Sequence, residues 1–193
     1  MSVSPDDAIG EAILDAALWR FERFGIAKST VEDVARRAKV ARVTVYRRFP
    51  GKEALVGAVV MRELRRFQEQ LTAAMDPFED PADQVVEGFA FTLWTARSHP
   101  LFTRLLESEP EALLPHLTTE GAPFLEAGRA FVAARMASQL PGERTHEEML
   151  VAADVAARLA ISYAIAPGAP VDLDDPEALR DFTRTYFVRI LSI

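Results

Sequence analysis

Between its Pro, Gly and Asp interruptions, the chain places an apolar residue at every third or fourth position. No stretch sustains the alternation of a half-buried strand. This pattern predicts an all-α protein of about nine helices. The first spans about residues 8–24, capped by Asp6 or Asp7, with Ile13, Leu14, Ala17, Phe21 and Phe24 inward and a stop at Gly25. Val31, Val34, Ala35 and Ala38 fall at i, i+3, i+4 and i+7, one stripe of a short second helix. Thr30 is placed to cap it, with Asp33 in the reciprocal position of a capping box. A third short helix, from about Arg42 to Phe49, buries Val45 and Phe49. After Pro50-Gly51, a long fourth helix from about Lys52 to Met75 carries Val56, Val60, Leu64, Phe67 and Leu71 on its stripe.

The remainder follows the same grammar. Asp80 caps and Pro81 opens a fifth helix, to about Ser98, with Val85, Phe89, Leu93 and Trp94 inward. Pro100 restarts the chain around Leu101, Phe102, Leu105 and Leu106. Glu109-Pro110 opens a short segment around Leu113 and Leu114. Pro123 begins a helix with Phe124, Gly128, Phe131, Val132 and Met136 that ends at Pro141-Gly142. Thr145 to Glu148 is a capping box, and the helix behind it is apolar nearly all round, so it needs cover on several sides. Asp175 and Pro176 start the last helix, with Leu179, Phe182, Tyr186 and Ile190 inward. Phe187 and Leu191 fall outside that stripe and are expected to stay wet in a monomer. Ala152, Ala153, Ala156, Ala157 and Ala160 offer a small-residue surface. The expectation is a four-helix homodimer interface from the last two helices, using Ala153, Ala156, Ala157, Ala160, Phe187 and Leu191.

Charge changes the picture at the start of the chain. The total is −7, which by itself speaks against nucleic acid. Residues 28–52, however, hold eight Lys or Arg against two acids, and residues 1–52 are net +3 while 53–193 are net −10. A small basic module, residues 1–52, thus precedes a larger acidic one, residues 53–193, which confines attraction for a polyanion to one face. Two short helices across a tight turn, the second loaded with Arg42, Thr44, Tyr46, Arg47 and Arg48, read as a DNA-binding helix-turn-helix. Arg42, Val43, Thr44 and Arg47 are the candidates for base edges in the major groove. Thr30, Tyr46, Arg48 and Lys52 are placed for phosphates, Lys52 at the start of the fourth helix. A merely solvated basic face is the competing reading, and the local charge excess weighs against it.

The run from Thr30 through Val-Glu-Asp-Val-Ala, then Val40-Ala-Arg-Val-Thr-Val-Tyr-Arg-Arg-Phe-Pro-Gly-Lys-Glu-Ala-Leu55, resembles the N-terminal domain of tetracycline-repressor-like (TetR-family) regulators. Thr44, Tyr46, Phe49, Lys52 and Leu55 match that pattern in spacing. The motif covers roughly residues 10–60; beyond it only length and helix layout agree. Lys39 stands where the family has Gly at the turn, and Ala41 where a capping Ser is common. The resemblance implies a repressor bound as a homodimer to a pseudo-palindromic DNA operator and released by a small molecule. It also implies a ligand cavity in the larger domain, for which Phe67, Phe89, Leu93, Trp94, Phe102, Phe124 and Phe131 are candidates. Aromatic residues at helical spacing serve equally as packed core. Arg97, His99, Arg135 and Tyr163 could orient a polar ligand there.

Other chemistry finds little support. Without cysteine there are no disulfides and no thiolate metal sites, which suits a cytoplasmic protein. No signal-peptide pattern or membrane-length apolar run is present. His99, His116 and His146 are far apart. His146-Glu147-Glu148 starts like a zinc-protease helix but has Leu150 where the second His belongs. No metal, cofactor or enzymatic activity is expected. The alternative is a helical ligand-binding or scaffold protein of the same fold without DNA binding, for which Lys39 and Ala41 are the only hints.

Overall fold

A computed structural model describes residues 5–139, 145–166 and 168–190 of the chain. The described residues are helical or in turns, with no strand. The helices are α1 (Pro5–Phe24), α2 (Val31–Ala38), α3 (Arg42–Arg48), α4 (Lys52–Met75), α5 (Pro81–Ser98), α6 (Pro100–Ser108), α7 (Pro110–Leu117), α8 (Ala122–Gln139), α9 (His146–Ile165) and α10 (Pro176–Phe182). A π-helical turn (Thr183–Phe187) carries α10 into α11 (Val188–Ile190). The expected end of α8 at Pro141-Gly142 lies outside the described residues.

Three caps of the larger part of the chain form where the sequence places them, whereas α1 begins at Pro5, so Asp6 and Asp7 stand in its first turn and not ahead of it. Asp80 accepts the Ala82 N–H ahead of Pro81, and Asp175 accepts the Glu177 N–H ahead of Pro176. Thr145 and Glu148 make both bonds of the capping box. These contacts satisfy amides that no preceding turn can reach, which fixes where each helix starts.

Packing divides the chain into two compact units. The first runs to Phe67 and includes Pro100–Ala112; the second comprises Gln68–His99 and the chain from Leu113. A boundary after residue 52 is therefore not where packing changes: it falls at the first residue of α4, whose opening turns belong wholly to the first unit. In that unit Ile13, Leu14, Ala17 and Phe21 of α1 are buried with Val31, Val34 and Ala35 of α2, Val45 of α3, and Leu55 and Val59 of α4. Val60, expected inside, is 41% exposed, because the α4 stripe runs one residue earlier, through Leu55, Val59 and Arg62. Arg62 is buried, and its Nη1 reaches Asp15 Oδ1 at 2.9 Å and Glu11 Oε2 at 3.2 Å, tying α4 to α1.

The second unit centres on Phe89, Ala90, Leu93, Leu173, Leu179 and Phe187. Phe89 packs on Phe187 at 4.0 Å between ring centroids and meets the Tyr163 ring edge-on. A second cluster joins Ala133 and Met136 of α8 to Met149 and Ala153 of α9. Along the surface, Arg180 grips Glu87 with two hydrogen bonds, Arg184 reaches Asp83, and Arg97 grips Asp174 with two more.

Two expectations for the last helices are corrected here. Phe187 is only 3% exposed, whereas Tyr186, expected inside, is 59% exposed. The π turn is the reason: Val188 N–H bonds to Thr183 O, five residues back, so one extra residue fits into the turn. Beyond it the inward stripe shifts by one position, from Tyr186 to Phe187. Ala153 has no exposure at all, because α8 covers it, and a Cβ built on Gly128 of α8 would sit 3.7 Å from the Ala157 Cβ. The alanine surface is thus used, at Ala153 and Ala157, by close approach of α8 within the protomer. Ala156 and Ala160 are partly buried against the Phe89 core. Leu191 lies outside the described residues.

Candidate nucleic-acid interface

The α2–turn–α3 element is built locally and then braced. Thr30 Oγ1 accepts the Asp33 N–H at 3.2 Å and donates to Asp33 Oδ2 at 2.9 Å. The reciprocal contact of the expected capping box therefore goes to the Thr30 hydroxyl. The same carboxylate holds Arg20 of α1 at 3.0 Å and pairs with Arg36. The Thr30 hydroxyl, followed by Arg20 and Arg36, keeps the Asp33 carboxyl below its ordinary pKa, against partial desolvation. Beside it Arg37 lies over the Trp19 ring, 3.4 Å from the centroid, a cation–π contact from α2 to α1.

Lys39 ends α2 in the left-handed conformation, φ 57° and ψ 38°, and its N–H bonds to the Ala35 and Arg36 carbonyls. The turn thus keeps the shape that favours glycine and carries a lysine in it, at a cost of about 1–2 kcal/mol. Ala41 enters α3 with extended backbone and no side-chain cap. Val45 is fully buried and anchors α3 from beneath; Phe49 is half-buried, and its N–H closes the helix on the Val45 carbonyl at 2.8 Å.

With Val45 inward, α3 turns its other side to solvent. Val43 is 72% exposed, Arg42 and Arg47 are exposed, and Thr44 is half-buried. These are the residues expected to meet bases. The phosphate candidates are more occupied. Lys52 Nζ donates to the Ala27 carbonyl at 3.1 Å, and the Thr30 hydroxyl is held by Asp33. Arg48 is half-buried, and its Nη1 would lie 3.7 Å from a Cβ on Gly10 of α1, so this guanidinium is drawn toward α1. Arg42 Nη2 donates to Tyr46 Oη at 3.2 Å, while Arg42 Nε pairs with Glu32 Oε1 at 2.7 Å. Sequence reasoning missed Glu32 on this face. One acid inside a basic run reads as a solvated helix position, and only the crossing of α2 and α3 brings it to Arg42.

The candidate pocket residues are divided. Phe67 and Phe102 lie in the first unit and the others in the second. Phe89 and Leu93 belong to packed core, and Phe124 and Phe131 are half-buried on α8. Trp94 is corrected: it is 64% exposed, since α5 turns Leu93 to the core and the next position outward. A shallow depression of about 360 Å³ in the second unit is lined by Arg97, Ala166 and the segment from Gly168 through Asp174, and by none of the apolar candidates. Of the polar candidates, Arg135 is spent on Asp76 and Gln84, and Tyr163 on ring contacts. Among the described residues no three His, Asp or Glu converge as metal ligands, and no helix is long and apolar enough to cross a membrane.

An all-helical chain with a basic two-helix reading element on a separately packed acidic body defines a helix-turn-helix regulator. Residues 13–59 match the family model described as bacterial regulatory proteins of the tetR family, and residues 80–182 match that of the bacterial tetracyclin repressor C-terminal domain. The chain belongs to the TetR family of DNA-binding transcriptional regulators, whose members act by binding DNA and not by catalysis. It is 29% identical over 140 residues to an uncharacterized HTH-type transcriptional regulator of Mycobacterium tuberculosis, covering 72% of this chain and 64% of the other. It is 34% identical over 117 residues to the regulator RutR of Escherichia coli, covering 61% and 55%. The matches thus span a little under two thirds and about half of these relatives. In fold, it is similar to the TetR-family repressor AlkX of a Dietzia strain, with a TM-score of 0.73 and 22% identity over 94% of this chain and 96% of that one. Salmonella enterica GusR gives 0.66 and 18% identity over 99% of both chains.

Proposed function

We infer that this regulator is a repressor that binds a pseudo-palindromic operator as a homodimer and is released by a small molecule. The observation that carries the reading is the solvent-facing side of α3, where Arg42, Val43 and Arg47 stand exposed over a buried Val45. A helix of this kind fits a major groove, and two copies related by a two-fold axis read half-sites one helical turn or a multiple apart. The partner copy is met through the last helices, where Val151 of α9 and Tyr186 of the π turn are 60% and 59% exposed. These two replace Ala153 and Phe187, which the protomer uses for itself. The effector binds in the second unit and favours a state in which the two reading helices no longer match the groove spacing. It shifts that balance only by its differential affinity for the two states.

Selection of random duplex DNA on the purified protein, followed by a salt titration of the enriched sequence, tests the reading. The expected result is an inverted repeat whose affinity falls steeply as salt rises. Absence of enrichment at low salt, with no co-purified small molecule, would leave a helical binding protein without DNA-reading activity. Once the operator is known, compounds are screened for its release.

A further inference from the structure

We propose that Glu32 is a specificity-determining residue that acts through Arg42: it fixes the guanidinium for base reading and keeps it off the phosphate backbone. The inference rests on the DNA-binding reading above and deepens it. Glu32 belongs to α2, Arg42 and Tyr46 to α3, and the three meet on the exposed face. Glu32 Oε1 lies 2.7 Å from Arg42 Nε, and Arg42 Nη2 donates to Tyr46 Oη at 3.2 Å. The guanidinium also lies over the Tyr46 ring, 5.0 Å from its centroid. One edge of the guanidinium is therefore held from two helices. The two Nη1 hydrogens and the second hydrogen of Nη2 are left for a base, and the Tyr46 hydroxyl keeps its own hydrogen for a phosphate.

A carboxylate on this surface has a cost. It stands within residues 28–52, net +6, on the side that would face a polyanion, so by Coulomb repulsion it lowers affinity for every duplex alike. A pair this exposed, with side chains 60% and 46% accessible, adds little to folding stability. What it does supply is direction. An unrestrained arginine on a short helix reaches either a base edge or a phosphate, and only the first carries sequence information. Held at Nε, Arg42 is biased away from folding back along the backbone, and a paired contact to guanine depends on that orientation. Glu32 thus exchanges general attraction for discrimination at one base pair of each half-site.

Replacing Glu32 by Gln keeps the shape and removes the charge. Duplex selection and titration are run in parallel on the wild type, E32Q, E32A and R42A, with helical content and thermal midpoint measured on each. R42A should lose the preference at one symmetric pair of positions, which identifies the base pair that Arg42 reads. At that pair E32A should lose discrimination several-fold, and E32Q, which keeps an acceptor for Nε, less, while affinity for unrelated duplex rises several-fold in both. The slope of log affinity against log salt should steepen by about two per dimer, as each released Arg42 takes a phosphate. Unchanged discrimination in a folded E32A would overturn the proposal and leave DNA binding standing, as would an R42A variant that selects the wild-type sequence. A wild type that enriches nothing removes the DNA-binding reading and the inference with it.

Discussion

The Glu109 carboxylate accepts the Ala27 backbone N–H at 2.9 Å and lies against Gly25, where a Cβ would come within 1.6 Å of Glu109 Oε1. Glu109 follows α6, and the loop it holds leads into α2. Gly25 is needed twice over, for its φ of 83° and for the space the carboxylate occupies. The Ala27 carbonyl is held in turn by Lys52, so this one peptide segment is gripped by two side chains from later in the chain.

Removing the grip should loosen the reading element. Glu109→Ala leaves the Ala27 amide without its acceptor and should cost about 1–3 kcal/mol. Glu109→Gln keeps an acceptor and should cost less. Gly25→Ala meets both the backbone penalty and the carboxylate and should cost about 2–4 kcal/mol. In the double variant the collision is gone, so the losses should add to less than their sum. Urea unfolding of the wild type and the four variants checks this; strict additivity would mean that the two sites do not interact.

The turn offers two gains. Lys39→Gly relieves the left-handed strain, in part offset by glycine's unfolded-state entropy, and should stabilise by about 0.5–1 kcal/mol. Ala41→Ser supplies the missing cap of α3 and should stabilise by about 1 kcal/mol. Thermal midpoints that fall in both variants would contradict this account of the turn.

Asp33 sets an acid limit on the same element. Its carboxyl pKa is lowered in the folded protein by the Thr30 hydroxyl first and by Arg20 and Arg36 after it. A depressed folded pKa contributes stability that is fully present above the unfolded value near 3.8 and is lost as pH falls through the lower folded value. Asp33→Asn should therefore be less stable than the wild type at pH 6, with the gap closing below about pH 4. Denaturation midpoints measured from pH 6 to pH 2 report it, and a gap independent of pH would place the effect of Asp33 elsewhere.

What could be read in the sequence was local. The caps at Asp80, Thr145 and Asp175 and the buried stripe of Val31, Val34 and Ala35 depend on residues within a turn or two of one another, and the pattern states them directly. Strain at Lys39 was visible for the same reason. Contacts that cross between helices left no such trace. Glu32 meets Arg42 only because α2 and α3 cross, and Glu109 reaches Ala27 from 82 residues away. Trp94 and Val60 were misassigned because a stripe drifts: 3.6 residues per turn lets neighbouring positions exchange roles along a long helix. At Tyr186 and Phe187 the cause was the π turn, since period counting assumes an uninterrupted α-helix.

That exchange of Tyr186 for Phe187 separates folding from dimerisation. Phe187 fills the protomer core against Phe89, so Phe187→Ala should cost about 3–5 kcal/mol of stability. Tyr186 is 59% exposed and meets the Phe182 ring at 5.4 Å between centroids, so Tyr186→Ala should cost about 0.5–1.5 kcal/mol, well below Phe187→Ala. If the last helices form the dimer, Tyr186→Ala should weaken self-association, and Val151→Asp should weaken it at least tenfold, because a carboxylate placed in an apolar interface loses its water without gaining a partner. Sedimentation across a dilution series, with helical content recorded on the same samples, distinguishes the two effects. Helical content held while the dimer dissociates would locate the interface at these residues. A dimer indifferent to both substitutions would move it to another face, and the half-site spacing expected of the operator would then have to be derived from that face instead.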